Sequence, residues 1–215
     1  MFITFEGPDG SGKTTQVQQT VVSLRSQGYD VLLTREPGGT AIGDQIREVL
    51  HNLDNTDMHP RAELLLYNAS RAQLVEEAIR PQLAKGGLVV CDRFYDSTLA
   101  YQGYGHQLDL ETLRTIITFA TGGLKPDVTI YLDISPEDGL QRRLSAVAKG
   151  EEWNRLDDME MAFHRRVREG YHQLIAAEPE RWVCIDGAQP LEKVQAEILA
   201  ALEKRLRVNG ETSRG

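Results

Sequence analysis

The sequence predicts an α/β fold, a five-stranded parallel sheet with helices on both faces. Three observations predict it. Short apolar, β-branched runs alternate with longer helical patterns, the order that parallel strands joined by crossover helices produce. Two of the runs, Leu88-Val89-Val90-Cys91 and Val128-Thr129-Ile130-Tyr131-Leu132, are almost continuously apolar, as strands buried on both faces are. The first run, Phe2-Ile3-Thr4-Phe5, leads straight into the glycine-rich stretch Gly7-Pro8-Asp9-Gly10-Ser11-Gly12-Lys13-Thr14-Thr15, after which a helical pattern begins.

The elements follow in chain order. A strand over 2–6 feeds the glycine-rich loop, and a helix runs from Lys13 to about Gln27. The second strand, 30–34, ends in Arg35-Glu36-Pro37-Gly38-Gly39-Thr40, where two glycines after a proline force a tight turn before a helix over about 40–51. A long helical stretch spans 61–84 and the third strand 87–91. Residues 95–121 are helical with a break near Gly103-Tyr104-Gly105. The fourth strand, 127–133, is followed by Ser135-Pro136, which open a helix over 136–148. Small, charged and glycine residues at 145–156 read as a mobile loop, then a helix over 157–178, a strand over 181–186 and a helix over 190–207 complete the chain. Residues 1–208 are expected to form one domain and 209–215 a disordered tail.

Composition narrows the function. Of 215 residues, 40 % are apolar and 26 % charged, as in a globular protein with one sizeable core. The net charge of -8 argues against a nucleic-acid polymer as partner, though not against a small polyphosphate met by a few placed arginines. Cys91 and Cys184 lie in apolar runs and read as two buried, reduced thiols, which fits a cytoplasmic protein. Apolar runs fall short of a membrane span, and the N-terminus enters a strand with no leader pattern.

The glycine-rich stretch has the spacing of a phosphate-binding loop in the strand-to-helix context that such a loop requires. Glycines let backbone N–H groups turn inward around phosphate oxygens, and the helix start adds partial positive charge. Lys13 can reach the β- and γ-phosphates, and Thr14 can ligate magnesium. A carboxylate that positions the ion is expected at a strand end, either Asp92 or Asp133. Asp92 is favoured because Arg93 follows it, so that a metal-bound phosphate and a second phosphate could sit side by side. Arg35, at another strand end, offers a planar fork to a phosphate dianion. Arg142, Arg143 and Arg155 flank the expected mobile loop, whereas Arg165, Arg166 and Arg168 read as a solvated helix face. Arginines away from the phosphate loop suit phosphoryl transfer between two polyanions, with a closing lid that excludes water. No general base is needed, because a phosphate acceptor is already anionic at neutral pH. His51, His59, His106, His164 and His172 are scattered and are given no role.

Together these residues resemble the thymidylate kinase family. The resemblance is carried in order by Phe5-Glu6-Gly7 and the rest of the loop, Arg35-Glu36-Pro37-Gly38-Gly39, Ser70-Arg71, Asp92-Arg93-Phe94, Ser97-Thr98-Leu99-Ala100-Tyr101-Gln102-Gly103, Pro126-Asp127 through Asp133, and Asn154-Arg155-Leu156-Asp157. It implies a P-loop kinase fold with a short lid at about 142–156, transfer of the γ-phosphoryl group of ATP to dTMP with Mg²⁺, and a homodimer, for which the 61–84 helix could supply a flat apolar face. It implies that Asp9 faces the acceptor nucleotide, that Arg35 and Arg93 clamp its phosphate, and that Arg71 and Gln102 bond the base edge beside Ser97 and Thr98. Tyr101 would pack beneath the deoxyribose and Tyr67 would stack on thymine. Because Asp9-Gly10 leaves no basic residue in the variable loop positions, the chain resembles members whose lid supplies the catalytic arginine, here Arg155 or Arg143. The chain departs from the family where Tyr104-Gly105-His106 replaces a Gly-Arg-Gly-like segment. Kinases for other nucleoside monophosphates are the neighbouring alternative. A GTP-dependent switch is the distant one, and the Asn-Lys-x-Asp segment it needs does not occur.

Overall fold

The computed structural model describes residues 1–148, 156 and 159–212, the last five of these by their backbone alone. Strands β1 (Phe2–Glu6), β2 (Val31–Arg35), β3 (Leu88–Asp92), β4 (Val128–Asp133) and β5 (Trp182–Asp186) form one sheet in the order β2-β3-β1-β4-β5, with every pair parallel. The helices are α1 (Lys13–Ser26), α2 (Ala41–His51), α3 (Pro60–Leu74), α4 (Arg80–Ala84), α5 (Tyr95–Thr98), α6 (Leu110–Thr121), α7 (Pro136–Val147), α8 (Met161–Ala177) and α9 (Leu191–Thr212). The expected disordered tail therefore begins inside α9, and 213–215 lie outside the described residues.

The period of two along each strand sorts the core into two layers. Ile3 and Phe5 of β1, with Val90 of β3 and Ile130 of β4, pack under Val17, Val21 and Leu24 of α1 and Val194, Ile198 and Leu202 of α9. Phe2, Val89, Cys91 and Tyr131 face the other way, into Leu74, Leu113, Phe163, Val167 and Tyr171 from α3, α6 and α8. Cys91 is buried there, but Cys184 is exposed, contrary to expectation. It lies on the edge strand β5, where Ile185 turns inward towards α9 and its neighbour turns out.

Two expected helical stretches carry a wide turn. The 61–84 stretch is α3 and α4 joined by a π-helical turn at Val75–Ile79, and α5 runs into a second π-helical turn at Leu99–Gly105. That second turn lies against α8. A Cβ at Gly105 would stand 2.5 Å from the Phe163 ring, so glycine sets how closely the segments approach. No helix of the described residues is long and apolar enough to cross a membrane.

Parallel registry brings the strand ends level. Arg35 stands opposite Asp92, which stands opposite Phe5, and Glu6 pairs with Tyr131. The charged residue that closes each apolar run therefore arrives at one edge of the sheet, where ligands bind in folds of this kind.

Candidate active site

The loop between β1 and α1 turns on glycines at positive φ, 77° at Gly10 and 85° at Gly12. A Cβ at Gly10 would lie 2.1 Å from the Gly139 carbonyl oxygen, so the loop rests directly on α7. Lys13 opens α1 and folds back over the loop. Its Nζ donates to the carbonyls of Gly7 and Pro8, both at 2.9 Å, and to Ser11 Oγ at 3.4 Å. Burial, then the positive charge of Arg93, disfavours its own charge and brings its pKa down to about 8.

At the next strand end, Thr14 Oγ1 donates to Asp92 Oδ2 at 2.9 Å, so the expected metal ligands are brought together. Asp133, the alternative, is instead held by both forks of Arg168 at 2.8 Å each. Arg93 has φ of 69° and its N–H is bonded to Phe5 O at 2.9 Å. Its guanidinium donates to Asp9 Oδ1 at 2.6 Å, to Ser97 Oγ at 3.0 Å and to Tyr101 Oη at 3.2 Å. Tyr101 Oη in turn donates to Asp9 Oδ2 at 2.8 Å. Burial works against the charge of Asp9, yet Arg93 and Lys13 outweigh it and hold the carboxyl well below its ordinary range.

Beneath this cluster lies Glu6, the one charge in an otherwise apolar strand. It is fully buried and accepts from the Phe94 N–H at 2.8 Å, from Ser97 Oγ at 2.6 Å and from Tyr171 Oη at 2.8 Å. It fixes the segment that carries Arg93. Burial, with Asp96 nearby, pushes its pKa up.

The far wall is built by α2, α3 and the second π turn. Arg71 and Glu36 form a buried ion pair, with Nε and Nη2 of the arginine 2.9 and 2.6 Å from Oε2. Arg71 also donates to Asn68 Oδ1 and Thr98 Oγ1, both at 3.0 Å, and its guanidinium lies 5.6 Å over the Phe94 ring. Glu36 thus points to Arg71 rather than to its chain neighbour. Arg35 is instead exposed and approaches Asp44 at 3.6 Å. Gln102 donates from Nε2 to Glu63 Oε1 at 2.7 Å.

These groups line one cleft of about 580 Å³. Asp9, Gly10, Gly12, Lys13, Thr14, Thr15, Arg35, Tyr67, Arg71, Asp92, Arg93, Ser97, Thr98, Tyr101, Gln102, Arg142 and Arg143 all face it. Gly7, Pro8 and Ser11 stand behind its wall as partners of Lys13. Arg142 and Arg143 enter from α7, and Arg142 also donates to Gly187 O at 2.8 Å. Arg155 lies outside the described residues, as does most of the expected mobile loop.

Three contributors were missed. Arg47 and His51 line the cleft from α2, with Arg47 Nη1 3.1 Å from Pro37 O. Gly43, Arg47 and His51 recur every four residues, so a search for one helix face was the signal that could have found them. Glu6 could have been found as a carboxylate on the wrong side of a strand alternation.

Comparison with known proteins points to one family. A family model described as thymidylate kinase matches residues 5–198. The chain is 52 % identical over 214 residues to a thymidylate kinase of Roseiflexus sp. (strain RS-1), covering 96 % of this chain and 95 % of that one. It is 50 % identical to a thymidylate kinase of Exiguobacterium sp., covering 98 % and 97 %. A crystal structure of thymidylate kinase from Ehrlichia chaffeensis superposes with a TM-score of 0.75 at 33 % identity, over 94 % of this chain and 98 % of that one.

Proposed function

The chain belongs to the thymidylate kinase family and transfers a phosphoryl group from ATP to dTMP, giving dTDP, and from that premise we propose how its residues divide the work. The observation that supports the division is that one cleft is lined both by the phosphate loop and by Tyr67, Arg71 and Gln102.

On the donor side, the loop N–H groups and the start of α1 hold the ATP phosphates, and Lys13 exchanges its loop carbonyls for phosphate oxygens. Thr14 and Asp92 offer a hydroxyl and a carboxylate 2.9 Å apart, an oxygen pair that suits a hard divalent cation. They would hold Mg²⁺, which supplies charge neutralisation at the β- and γ-phosphates when bound.

On the acceptor side, Arg35 and Arg93 hold the dTMP phosphate with Arg47 behind them. Asp9 and Tyr101 face the sugar, Tyr67 stacks on the base, and Arg71 and Gln102 meet its edge beside Ser97 and Thr98. Tyr101 leaves no room for a 2′-hydroxyl. The acceptor phosphate, with a second pKa near ~6, attacks as the dianion without a base. Arg143, assisted by Arg142, spreads positive charge over the transferring group from α7, and Arg155 of the lid joins them on closure.

A homodimer is proposed from the apolar side chains that α2, α3 and α6 expose, Ile42, Val49, Leu65 and Phe119 among them. These helices adjoin one another, with α3 between the other two. Nucleotide chemistry with reduced thiols suits the cytoplasm. A panel of nucleoside monophosphates offered with ATP and Mg²⁺ tests the reading. Formation of dTDP should exceed every other diphosphate by orders of magnitude, and a faster product from another base would overturn the assignment.

A further inference from the structure

Gln102 stands at the proposed base edge with a side-chain amide. A carboxamide presents either an oxygen that accepts or a nitrogen that donates, and the two ends have nearly the same shape. Which end meets the base decides which base can bind.

We infer that Glu63 settles this choice, by holding the Gln102 nitrogen and so turning its oxygen towards the nucleotide. Glu63 stands on α3, two turns before Arg71, and is fully buried. Gln102 is 2 % exposed and lines the cleft. Its Nε2 donates to Glu63 Oε1 at 2.7 Å, at the short end of N–H···O bonds. A carboxylate only accepts, so a flipped amide would set two oxygens against each other in a buried site. His106 closes the other side, its Nε2 3.4 Å from the same Oε1 and its ring 4.9 Å from Phe163.

Arg71 carries the opposite polarity. Of its five N–H groups, the one on Nε goes to Glu36, those on Nη2 go to Glu36 and Thr98, and one on Nη1 goes to Asn68. Among the described residues the second Nη1 N–H has no partner, and Arg71 lines the cleft. The wall thus offers both a donor and an acceptor. Thymine and uracil carry the complement, a carbonyl oxygen next to an imide N–H. Cytosine carries the inverse, an amino group next to a ring nitrogen that accepts. Glu63 touches no substrate in this scheme; it is a positioning residue that sets specificity through Gln102.

The inference rests on the base-edge reading and is tested separately from it. The readout is the ratio of kcat/KM for dTMP to that for dCMP. Glu63→Gln is isosteric but can donate as well as accept, so the Gln102 amide is free to turn. The ratio should fall about tenfold or more in a folded variant, while KM for ATP stays within about twofold. Gln102→Leu should lose discrimination too, and Glu63→Gln should lower it no further in that background. An unchanged ratio in folded Glu63→Gln, or an equal loss on the ATP side, overturns the role of Glu63. Should Glu63→Gln not fold, retained discrimination in Gln102→Leu overturns it as well. A wild-type enzyme that accepts dCMP as readily as dTMP would instead sink the base-edge reading.

Discussion

Arg93 reaches from the end of β3 to Asp9 in the phosphate loop, where its Nη2 donates to Oδ1 at 2.6 Å. The contact joins two strand ends and crosses the line between the proposed donor and acceptor phosphates. The same guanidinium holds Ser97 and Tyr101 and lies 5.0 Å over the Tyr101 ring. A planar fork makes these contacts together, and a lysine ammonium cannot. Arg93→Lys is therefore expected to lower kcat/KM for dTMP by about 10²–10³ with the fold retained. Steady-state kinetics giving a loss below about threefold would remove Arg93 from the site.

Two neighbouring residues should behave in opposite ways. The Arg71 and Glu36 side chains are 1 % and 3 % exposed, so Glu36→Ala leaves a buried cation without its main partner. Denaturant titration should show a loss of about 3–5 kcal/mol. Arg35 has 57 % of its side chain exposed. Arg35→Ala should change stability by less than about 0.5 kcal/mol while raising KM for dTMP far more than KM for ATP. Equal effects on the two substrates would contradict the role given to Arg35.

Lys13 is expected to limit activity in alkali. Burial and Arg93 hold its pKa near 8, against an ordinary 10.5. Above that pH the ammonium loses its proton and with it its grip on phosphate. The kcat/KM for ATP, which reports the free enzyme, should fall as pH rises through about 8. The kcat should hold to higher pH, because bound phosphates favour the charged form. A kcat/KM that stays flat to pH 10 would contradict this.

His51 should weaken the fold in mild acid. Burial, then Arg47, lowers its pKa from 6.5 to about 4. Between those values the unfolded chain takes up a proton that the folded chain does not. Stability is then lost as pH falls from about 6.5 towards 4. Comparing the wild type with His51→Gln isolates this from buried carboxyls that shift the other way, such as Glu36. The wild type should lose about 1 kcal/mol more than the variant between pH 6.5 and 5. Parallel curves would show that His51 does not titrate as stated.

Much of this was legible in the residues because strand periodicity and loop chemistry are local. Phe2–Phe5 followed by Gly7 to Thr14 announces a strand, a phosphate loop and a helix, and all three are present. Asp92 could be preferred over Asp133 for the same reason, since its neighbour Arg93 was visible. What escaped depends on partners distant in sequence. Glu36 pairs with Arg71 across 35 positions, a contact that no local pattern announces. Cys184 sits in an apolar run, yet only the strand order places that run at the sheet edge. The role of Glu6 required knowing that Phe94, Ser97 and Tyr171 converge on it.

The central claim is that a single cleft seats both nucleotides at once. Calorimetry with dTMP and a non-hydrolysable ATP analogue tests it most directly. The account predicts one site for each per chain, with dTMP binding retained when the analogue is saturating. Mutual displacement of the two ligands, or no heat from dTMP at millimolar concentration, would contradict it.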